Sequence, residues 1–286
     1  MRQLIFALYR WAVRRMVGHG LNEVRWIRGA HNWVLEHFHP RSVQVFGKTL
    51  YLDRSDSLNL SIHGIFEPHE TELVARLVKK GDVVIDIGAN IGYYTLLLAQ
   101  CVGETGRVYA FEPHPANAAL LRRTIAESGY QNVVVEEKAV SINSGPITLY
   151  ESADGSVDHR IVESDGKALC IQAVSLDDYF AAGEIVNFIK MDIQGAEGWA
   201  IKGMAKLLAR SPEVALLSEF EPWGLAQSGI GPRGYLDLLA EHGFAVYEVD
   251  GSGTGETPAD FDAPSNRCAS TKDAYASLLC IKPGPR

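Results

Sequence analysis

Acidic residues stand at the ends of several apolar stretches, where they could bind a ligand or move a proton. Asp86, Glu112 and Asp192 each lie at or near the end of such a stretch, and Glu219 and Glu221 lie at the end of a fourth. A carboxylate at the end of a buried strand is costly unless it meets a partner. Because the carboxyl ends of neighbouring parallel strands meet at one edge of a sheet, the pattern predicts a ligand site along that edge.

The turn after Asp86 distinguishes between classes of ligand. It reads Gly88-Ala-Asn90-Ile-Gly92, whereas a dinucleotide fingerprint has a glycine in the middle so that the backbone can approach a pyrophosphate. Asp86 would also place a negative charge beside a diphosphate. The combination favours a ligand with a cationic amino-acid end and no phosphate, such as S-adenosylmethionine. Glu112 follows about twenty residues after Gly92, at the spacing of an acid that accepts ribose hydroxyls.

Strands alternate with helices from residue 81 to residue 250. This alternation predicts an α/β fold with a mostly parallel sheet and helices on both of its faces. We predict a basic helical extension over 1–41 and one catalytic domain over 42–286. The predicted helices are 70–79, 93–102, 115–128, 197–209 and 233–242. The predicted strands are a hairpin within 42–52 and then 83–87, 107–112, 132–136, 147–150, 169–174, 186–192, 214–220, 244–249 and 275–281. The predicted loops are 151–168 and 251–270.

The composition is that of an ordinary globular protein, with 47% hydrophobic and 22% charged residues in a chain of 286. The four cysteines are scattered without any C-x-x-C, so the sequence indicates neither a metal site nor a disulfide framework. No apolar run has the length of a membrane span, and the apolar start is too brief for a secretory signal. We therefore expect a cytoplasmic protein.

The N-terminal 41 residues are basic although the chain as a whole is acidic. They carry seven arginines against two glutamates, a net +5, so the remainder must carry −13 to reach the formal net charge of −8. An acidic body argues against nucleic acid as the main partner. The tryptophan-rich basic segment has two interpretations. It is either an amphipathic contact with the inner face of an anionic membrane, or a helical cap on the domain or contact in a homodimer. Liposome binding after removal of residues 1–38 separates these interpretations.

Two further segments carry candidate catalytic groups. Pro68 and Glu70 suit the start of a helix, so Glu67 and His69 are either surface residues at that start or groups near the cofactor's amino-acid end and the acceptor, respectively. Asp192 could accept a hydrogen bond from the cofactor's amine, act as a general base, or bind a metal ion. Glu197 suits a first helical turn whatever its role.

Several motifs together resemble the FkbM-type family of S-adenosylmethionine-dependent methyltransferases. They are FEPHET (66–71), GDVVIDIGANIGYYT (81–95), VYAFEP (108–113), KAVS (138–141), SLDD (175–178) and IKMDIQGAE (189–197), spread over roughly residues 60–250. The resemblance implies a Rossmann-like seven-stranded sheet with one reversed strand near the C-terminus. It also implies O-methylation of a hydroxyl on a sugar, a glycolipid, a polyketide or a related natural product.

The resemblance also implies roles for individual residues. Asp86 and the turn after it resemble the first cofactor motif, Glu112 the ribose acid, and the residues around Ala139 the loop beside the adenine. The predicted cofactor-binding residues are Glu67, Asp86, Gly88, Ala89, Asn90, Gly92, Tyr94, Thr95, Glu112, Pro113, Lys138, Ala139 and Asp192, and the predicted catalytic residues are Asp192 and His69. Gln194 stands where the family's D-x-E-G-x-E segment has glutamate. That change weakens a role in proton removal or metal binding but suits a role in ordering the loop.

The sequence keeps more than one function open. The first is O-methylation of a hydroxyl on a sugar, glycan or glycolipid, and the second is O-methylation of a lipid or polyketide-type product. A cofactor-binding scaffold without turnover belongs to a different class. A dinucleotide oxidoreductase is disfavoured because the turn lacks the glycine that approaches phosphate.

Overall fold

The computed structural model describes most of the chain from residue 37 onward. The described residues are 6, 9–11, 13, 15, 29, 33–35, 37–151, 160–161, 167–249, 257–258 and 275–282. The strands, in chain order, are β1 (Ser42–Val45), β2 (Lys48–Tyr51), β3 (Val83–Ile87), β4 (Arg107–Phe111), β5 (Val133–Glu136), β6 (Ala139–Val140), β7 (Gly145–Tyr150), β8 (Ala168–Val174), β9 (Phe188–Met191), β10 (Ala215–Phe220), β11 (Ala245–Glu248), β12 (Thr257–Pro258) and β13 (Ala276–Ile281).

Four of the five predicted helices form, with ends within two residues of the predicted bounds. The helices are α1 (Leu60–His63), α2 (Pro68–Leu77), α3 (Tyr93–Val102), α4 (Pro115–Ser128), α5 (Leu176–Tyr179), α6 (Glu197–Gly203), α7 (Ala205–Arg210), α8 (Pro222–Gln227) and α9 (Gly231–Glu241). Proline starts α2, α4 and α8 because its missing N–H would have no helical partner there. The single helix predicted over 197–209 is wrong: the chain turns at Met204 and forms α6 and α7 instead.

The main sheet runs in the order β12-β11-β13-β10-β9-β3-β4-β5. The five strands from β10 to β5 are parallel, whereas β13 lies antiparallel to both β10 and β11. The predicted seven-stranded sheet with one reversed strand near the C-terminus is therefore confirmed. The two-residue strand β12 extends the sheet at its edge by pairing with β11, within the loop that the sequence predicts over 251–270.

Helices cover both faces of the sheet, so its central strands bury side chains in both directions. In β3, Val84 faces the core beneath α2 and α3, whereas Ile85 and Ile87 face the core beneath α6 and α9. In β4, Val108 faces the same core as Val84, and Tyr109 faces the same core as Ile85. Burial on both faces explains why these strands read as continuous apolar runs. It also makes a carboxylate at their ends conspicuous.

A smaller sheet lies apart from the main one and contributes to the site. Its order is β6-β8-β7, with β6 parallel and β7 antiparallel to β8. Ala139, Leu149 and Ile171 form its core. Arg160 adds an isolated bridge to Tyr150 at the edge of this sheet.

The described N-terminal residues pack partly on the domain. Phe6 and Leu35 form a small buried cluster with Ile62 of α1, whereas Trp11 and Trp33 are more than half exposed. In the part of the chain that the structure describes, no helix combines the length and hydropathy needed to cross a bilayer. The membrane contact, the homodimer and the boundary at residue 41 stay predictions.

Candidate active site

A cavity opens at the carboxyl ends of β3, β4, β9 and β10. It encloses about 1250 Å³, part of which is open to solvent. Eleven of the residues predicted from the sequence to bind the cofactor line it: Glu67, Asp86, Gly88, Ala89, Asn90, Tyr94, Glu112, Pro113, Lys138, Ala139 and Asp192. Parallel strands thus bring together residues that lie up to 125 positions apart in the chain.

Asp86 lies at the end of β3 with its carboxylate almost fully buried. Thr95 on α3 donates a hydrogen bond to Asp86 Oδ2 at 2.6 Å, so Thr95 supports the site from behind. Burial raises the pKa of Asp86 to about 6. Gly88, two residues later, has a φ of +82°, and a Cβ there would lie 1.9 Å from the carbonyl oxygen of Asp192. Glycine at 88 therefore lets the β3 turn and the β9 loop approach within the cavity wall.

Glu112 fixes the turn after β3 to the turn after β4. Its two carboxylate oxygens accept backbone N–H bonds from Asn90 and His114, each at 2.8 Å. Burial raises the pKa of Glu112 to about 7, against these hydrogen bonds. Each carboxylate oxygen keeps a second lone pair, so Glu112 can accept hydroxyl groups of a ligand as well.

Lys190 is a buried cation in the middle of four carboxyl groups. Its Nζ lies 3.5 Å from Asp192 Oδ2 and 5.0 Å from the centre of the Tyr94 ring. Burial opposes the ammonium form, but the negative charges of Asp192, Glu67 and their neighbours outweigh it and raise the pKa of Lys190. Burial also opposes ionisation of Asp192, and there Lys190 outweighs it and holds the Asp192 pKa below its ordinary value. The pair therefore keeps Asp192 as a carboxylate with a quarter of its side chain exposed.

Glu67 reaches the cavity from the residue before α2. It has a φ of +41°, a rare conformation for a residue with a side chain. Tyr94 donates a hydrogen bond to Glu67 Oε2 at 2.7 Å, and Phe66 packs edge-on against Tyr93 and Tyr94. The aromatic contacts hold this segment on α3, and burial raises the pKa of Glu67.

The carboxylate of Glu197 orders the loop after β9 by binding its backbone N–H groups. Its Oε1 accepts backbone N–H bonds from Ile193 at 3.1 Å and Gly195 at 3.2 Å, while its Oε2 is buried without a hydrogen-bond partner among the described residues. Burial raises the pKa of Glu197 to about 7. Glu197 does not line the cavity. We infer that it shapes the loop that carries Asp192.

The structure does not bring every predicted site residue to the cavity. His69 is exposed on the first turn of α2, outside the residues that line the cavity. Gly92 caps α3, where a Cβ would lie 2.5 Å from Leu121 Cδ1, so its glycine serves the packing of α3 on α4. Thr95 contacts Asp86 rather than the cavity. We therefore assign no proton transfer to His69.

Two charged residues of the site carry no assigned role in the sequence analysis. Lys190 belongs to a buried strand, and a lysine within such an apolar stretch was the available signal. Glu219 on β10 lines the cavity beside Asp192. The sequence shows Glu219 at the end of a fourth apolar stretch. The residues that it contacts lie in other elements, so the sequence did not reveal them.

A comparison with known protein families identifies the family of this chain. The sequence profile described as "Methyltransferase FkbM domain" matches residues 86–246, more than half of the chain. The chain belongs to the FkbM methyltransferase family. This confirms the family resemblance and, with it, the predicted S-adenosylmethionine cofactor.

Curated relatives match over shorter stretches. The chain is 32% identical over 89 residues to protein-L-isoaspartate O-methyltransferase 1 of Archaeoglobus fulgidus, covering 30% of this chain and 41% of that protein. It is 29% identical over 156 residues to a probable cobalt-precorrin-6B C(15)-methyltransferase (decarboxylating) of Saccharolobus solfataricus, covering 47% and 77%. The chain therefore spans less than half the length of the first of these relatives.

Solved structures align with the chain at low sequence identity. A SAM-dependent O-methyltransferase from Thermotoga maritima superposes with a TM-score of 0.44 at 16% identity, over 89% of this chain and 82% of that one. A putative methyltransferase from Streptococcus mutans in complex with SAH gives 0.45 at 12% identity, over 77% and 99%.

The FkbM cavity suits S-adenosylmethionine by the chemistry of its lining. Asn90 Oδ1 is buried and has no hydrogen-bond partner among the described residues, so it can accept from a ligand N–H or O–H. Glu67, Asp86 and Asp192 favour a cationic amino-acid end. Glu112 remains the expected partner of the ribose, with Lys138 and Ala139 at the side where the adenine is expected.

Stability of the cofactor-free FkbM protein is expected to fall as pH rises. Asp86, Glu112 and Glu197 have folded-state pKa values of about 6 to 7, above their ordinary values of 3.8 to 4.5. Groups with raised pKa values contribute stability below pH 4 to 5 and lose it as pH rises through 6 to 7. One pKa unit corresponds to about 1.4 kcal/mol, so we expect a loss of a few kcal/mol between pH 5 and pH 8, measured by urea unfolding.

Glu197→Gln isolates one of these contributions. The amide is neutral at every pH, so the slope of unfolding free energy against pH should become shallower. Glu213→Gln, at an exposed position before β10, is the matched control and should keep the slope. A wild-type stability that climbs steadily from pH 5 to pH 8 would contradict the assignment.

Proposed function

We propose that the protein methylates a hydroxyl group of a sugar, glycan or glycolipid, with Asp192 as the general base. The observation that carries the proposal is the Asp192 carboxylate, which is held ionised by Lys190 and opens on the cavity that holds the cofactor-binding turn. An alcohol is a poor nucleophile at neutral pH, so a base in reach of its proton is expected.

The charge of the cavity supports an uncharged acceptor. Around Asp192 the lining contains Glu67, Glu219 and Lys190, whose charge the carboxylates already engage. Lys138, the other lysine of the lining, pairs with Glu136 at 2.8 Å. Carboxylates accept hydrogen bonds from hydroxyl groups, whereas they repel phosphate and carboxylate groups on an acceptor. A neutral polyhydroxyl compound therefore suits this lining better than a phosphorylated one.

The cofactor and the protein divide the reaction between them. Bound S-adenosylmethionine supplies the methyl group, whose bond to sulfur breaks, leaving the electron pair on sulfur, as the acceptor oxygen bonds to carbon. Asp192 takes the hydroxyl proton, and Lys190 stabilises the carboxylate until it does. The cavity walls position the acceptor in line, which supplies much of the acceleration.

A lipid or polyketide hydroxyl is the second candidate. Leu58, Leu149 and Ile161 also line the cavity, and these aliphatic side chains suit an apolar acceptor. The names of the curated relatives include both an O-methyltransferase and a C(15)-methyltransferase. The proposal that the acceptor atom is oxygen therefore rests on Asp192 as a base for a hydroxyl group.

An acceptor panel tests the proposal. Purified protein is incubated with S-adenosylmethionine and neutral glycosides, glycolipids, sugar phosphates or hydroxylated lipids, and S-adenosylhomocysteine and the methylated product are measured by mass spectrometry. We expect alkali-stable methyl ethers on neutral glycosides and little reaction with sugar phosphates. Product on the lipids alone would favour the second candidate, and a methyl on carbon would contradict both.

Asp192→Asn should reduce turnover of the accepted compound by about 10²- to 10⁴-fold, the range for loss of a general base. The variant should stay folded. Its loss of turnover at saturating cofactor should exceed any loss of cofactor affinity, since Asp192 also faces the expected cationic end of the cofactor and pairs with Lys190. Asp237→Asn, at a surface ion pair with Arg233 on α9, is the control and should retain wild-type turnover. Wild-type rates in Asp192→Asn would remove Asp192 from catalysis.

A further inference from the structure

We propose that Gln194 joins Asp192 and Glu219 into one proton-sharing pair, and that Arg160 holds the Gln194 carboxamide in the orientation that does so. Gln194 and Arg160 are positioning residues, and Glu219 holds the one proton of the pair until Asp192 receives a second from the acceptor. The inference rests on the proposed role of Asp192 as the base and names the residues that prepare it.

The carboxamide of Gln194 lies between the two acids. Its Nε2 donates to Asp192 Oδ1 at 3.1 Å and to Glu219 Oε2 at 2.9 Å. One NH₂ group has two hydrogens, so it can satisfy both acids at once. Both acids line the cavity. Because both accept from the same NH₂ group, a proton that Asp192 receives stays within the hydrogen-bonded group that includes Glu219.

Arg160 determines which end of the carboxamide faces the acids. Its Nη2 donates to Gln194 Oε1 at 3.3 Å, and its Nη1 donates to the Gln194 backbone oxygen at 3.2 Å. Arginine has donors only, so the carboxamide oxygen must face Arg160 and the NH₂ must face the acids. The guanidinium is itself fixed by Glu221, which accepts two bonds of 2.7 Å.

The backbone at Gln194 is held against its own preference. Its φ is +54°, a left-handed conformation that is unfavourable for a residue with a side chain and persists where the surroundings over-determine it. The next residue, Gly195, packs so closely on Gly224 that a Cβ would lie 2.4 Å from its backbone carbon. Glu197 binds the N–H groups on both sides of Gln194. The loop thus presents the carboxamide at one place.

The charges around the pair favour one shared proton. Burial and the negative charge of Asp192 raise the pKa of Glu219 well above its ordinary value, whereas Lys190 helps to hold that of Asp192 low. Of the two acids, Glu219 is therefore the one that holds the proton more readily, and Asp192 is the one that ionises more readily. The other titratable or charged groups around the pair are Asp86 from β3, Glu112 after β4, Glu67 before α2, Tyr94 from α3, Lys190 from β9, Glu197 from α6, Tyr275 before β13, and Arg160.

A glutamate at 194 would have the same shape and the opposite effect. Its carboxylate would pair with Arg160 and would have no hydrogen to donate, so Asp192 and Glu219 would face a third negative group. The amide is therefore the group that lets two acids stand together with one proton. When Asp192 takes the acceptor proton, the pair passes from one proton to two without a change of partners.

Carboxyl titration of the full-length protein tests the inference without cofactor or acceptor. The side-chain carboxyl carbons of Asp and Glu are labelled with ¹³C and followed by NMR from pH 3 to pH 9, with Asp192→Asn and Glu219→Gln as assignment variants. In the wild type we expect Asp192 to titrate below, and Glu219 above, their ordinary ranges. In Gln194→Glu and Gln194→Met the Asp192 titration should move up by about 1–2 pH units, the size of a lost hydrogen bond to a charge.

Gln172→Glu, at an exposed position on β8, is the control for an added charge and should leave both titrations in place. A purely structural role for Gln194 predicts no movement in Gln194→Met, which removes both N–H donors without adding a charge, whereas Gln194→Glu also adds the charge. Independent titration of both acids at ordinary values in the wild type overturns the inference even where a variant fails to fold. Because no acceptor is used, a failed acceptor panel does not affect this result. If the wild-type protein methylates an acceptor but the Asp192 titration does not move in the Gln194 variants, only the inference is contradicted.

Discussion

Glu112→Ala is expected to weaken the binding of S-adenosylmethionine and S-adenosylhomocysteine by about 100-fold or more. Two ribose hydroxyls donating to a carboxylate contribute about 1.5–3 kcal/mol each, and every 1.4 kcal/mol is a tenfold change in affinity. The substitution also releases the N–H groups of Asn90 and His114 that Glu112 holds at 2.8 Å. Isothermal titration calorimetry measures the dissociation constant directly and needs no acceptor.

Two further variants separate ribose binding from general damage. Glu112→Gln keeps one acceptor oxygen and removes the charge, so its loss of affinity should be intermediate. Glu137→Ala, which removes an exposed carboxylate paired with Arg122, should bind the cofactor as the wild type does. An unchanged dissociation constant in Glu112→Ala would contradict the ribose assignment.

Gly88→Ala is expected to destabilise the fold by about 4 kcal/mol or more. The new Cβ would lie 1.9 Å from the backbone oxygen of Asp192, and a backbone atom cannot turn away as a side chain can. Overpacking of this kind costs about 1–3 kcal/mol or more, and the positive φ adds about 1–3 kcal/mol. Urea unfolding of the cofactor-free protein gives the free-energy change.

The matched control for this substitution is Gly81→Ala. Gly81 has a similar φ of +89°, but a Cβ there meets its nearest neighbour, Thr105 Oγ1, at an ordinary 3.7 Å. It should therefore lose only the conformational part, about 1–3 kcal/mol. Equal losses at 81 and 88 would show that the approach of the β3 turn to the β9 loop is looser than the structure has it.

The predictions for Glu112 and Gly88 both concern the turn after β3. The turn after β3 is held by Glu112 through the N–H of Asn90, and it is pressed against the β9 loop at Gly88. The β9 loop carries Asp192, so the groups expected to hold the methyl donor and to receive the acceptor proton share one packed wall. A change in either turn is expected to reach both functions.

Much of the fold could be predicted because its signals are local. Apolar runs buried on both faces mark the central strands, and the bounds predicted for α3 and α4 are those observed. The break between α6 and α7 was not predictable from helical periodicity. A Cβ at Gly203 would lie 2.0 Å from the backbone oxygen of Ser141, so the contact at the end of α6 comes from a segment about sixty residues earlier in the chain.

The sequence by itself determined the methyl donor. The turn with Gly88 and Asn90, and the acid at 112, lie within 25 residues of one another, and their order and spacing carry the chemistry. Only the tertiary structure decided which groups surround Asp192. Lys190 and Gln194 are each two residues from Asp192, but Glu219 and Arg160 come from distant parts of the chain. Charges change one another's protonation only when folding brings them within a few ångströms in a site with little water.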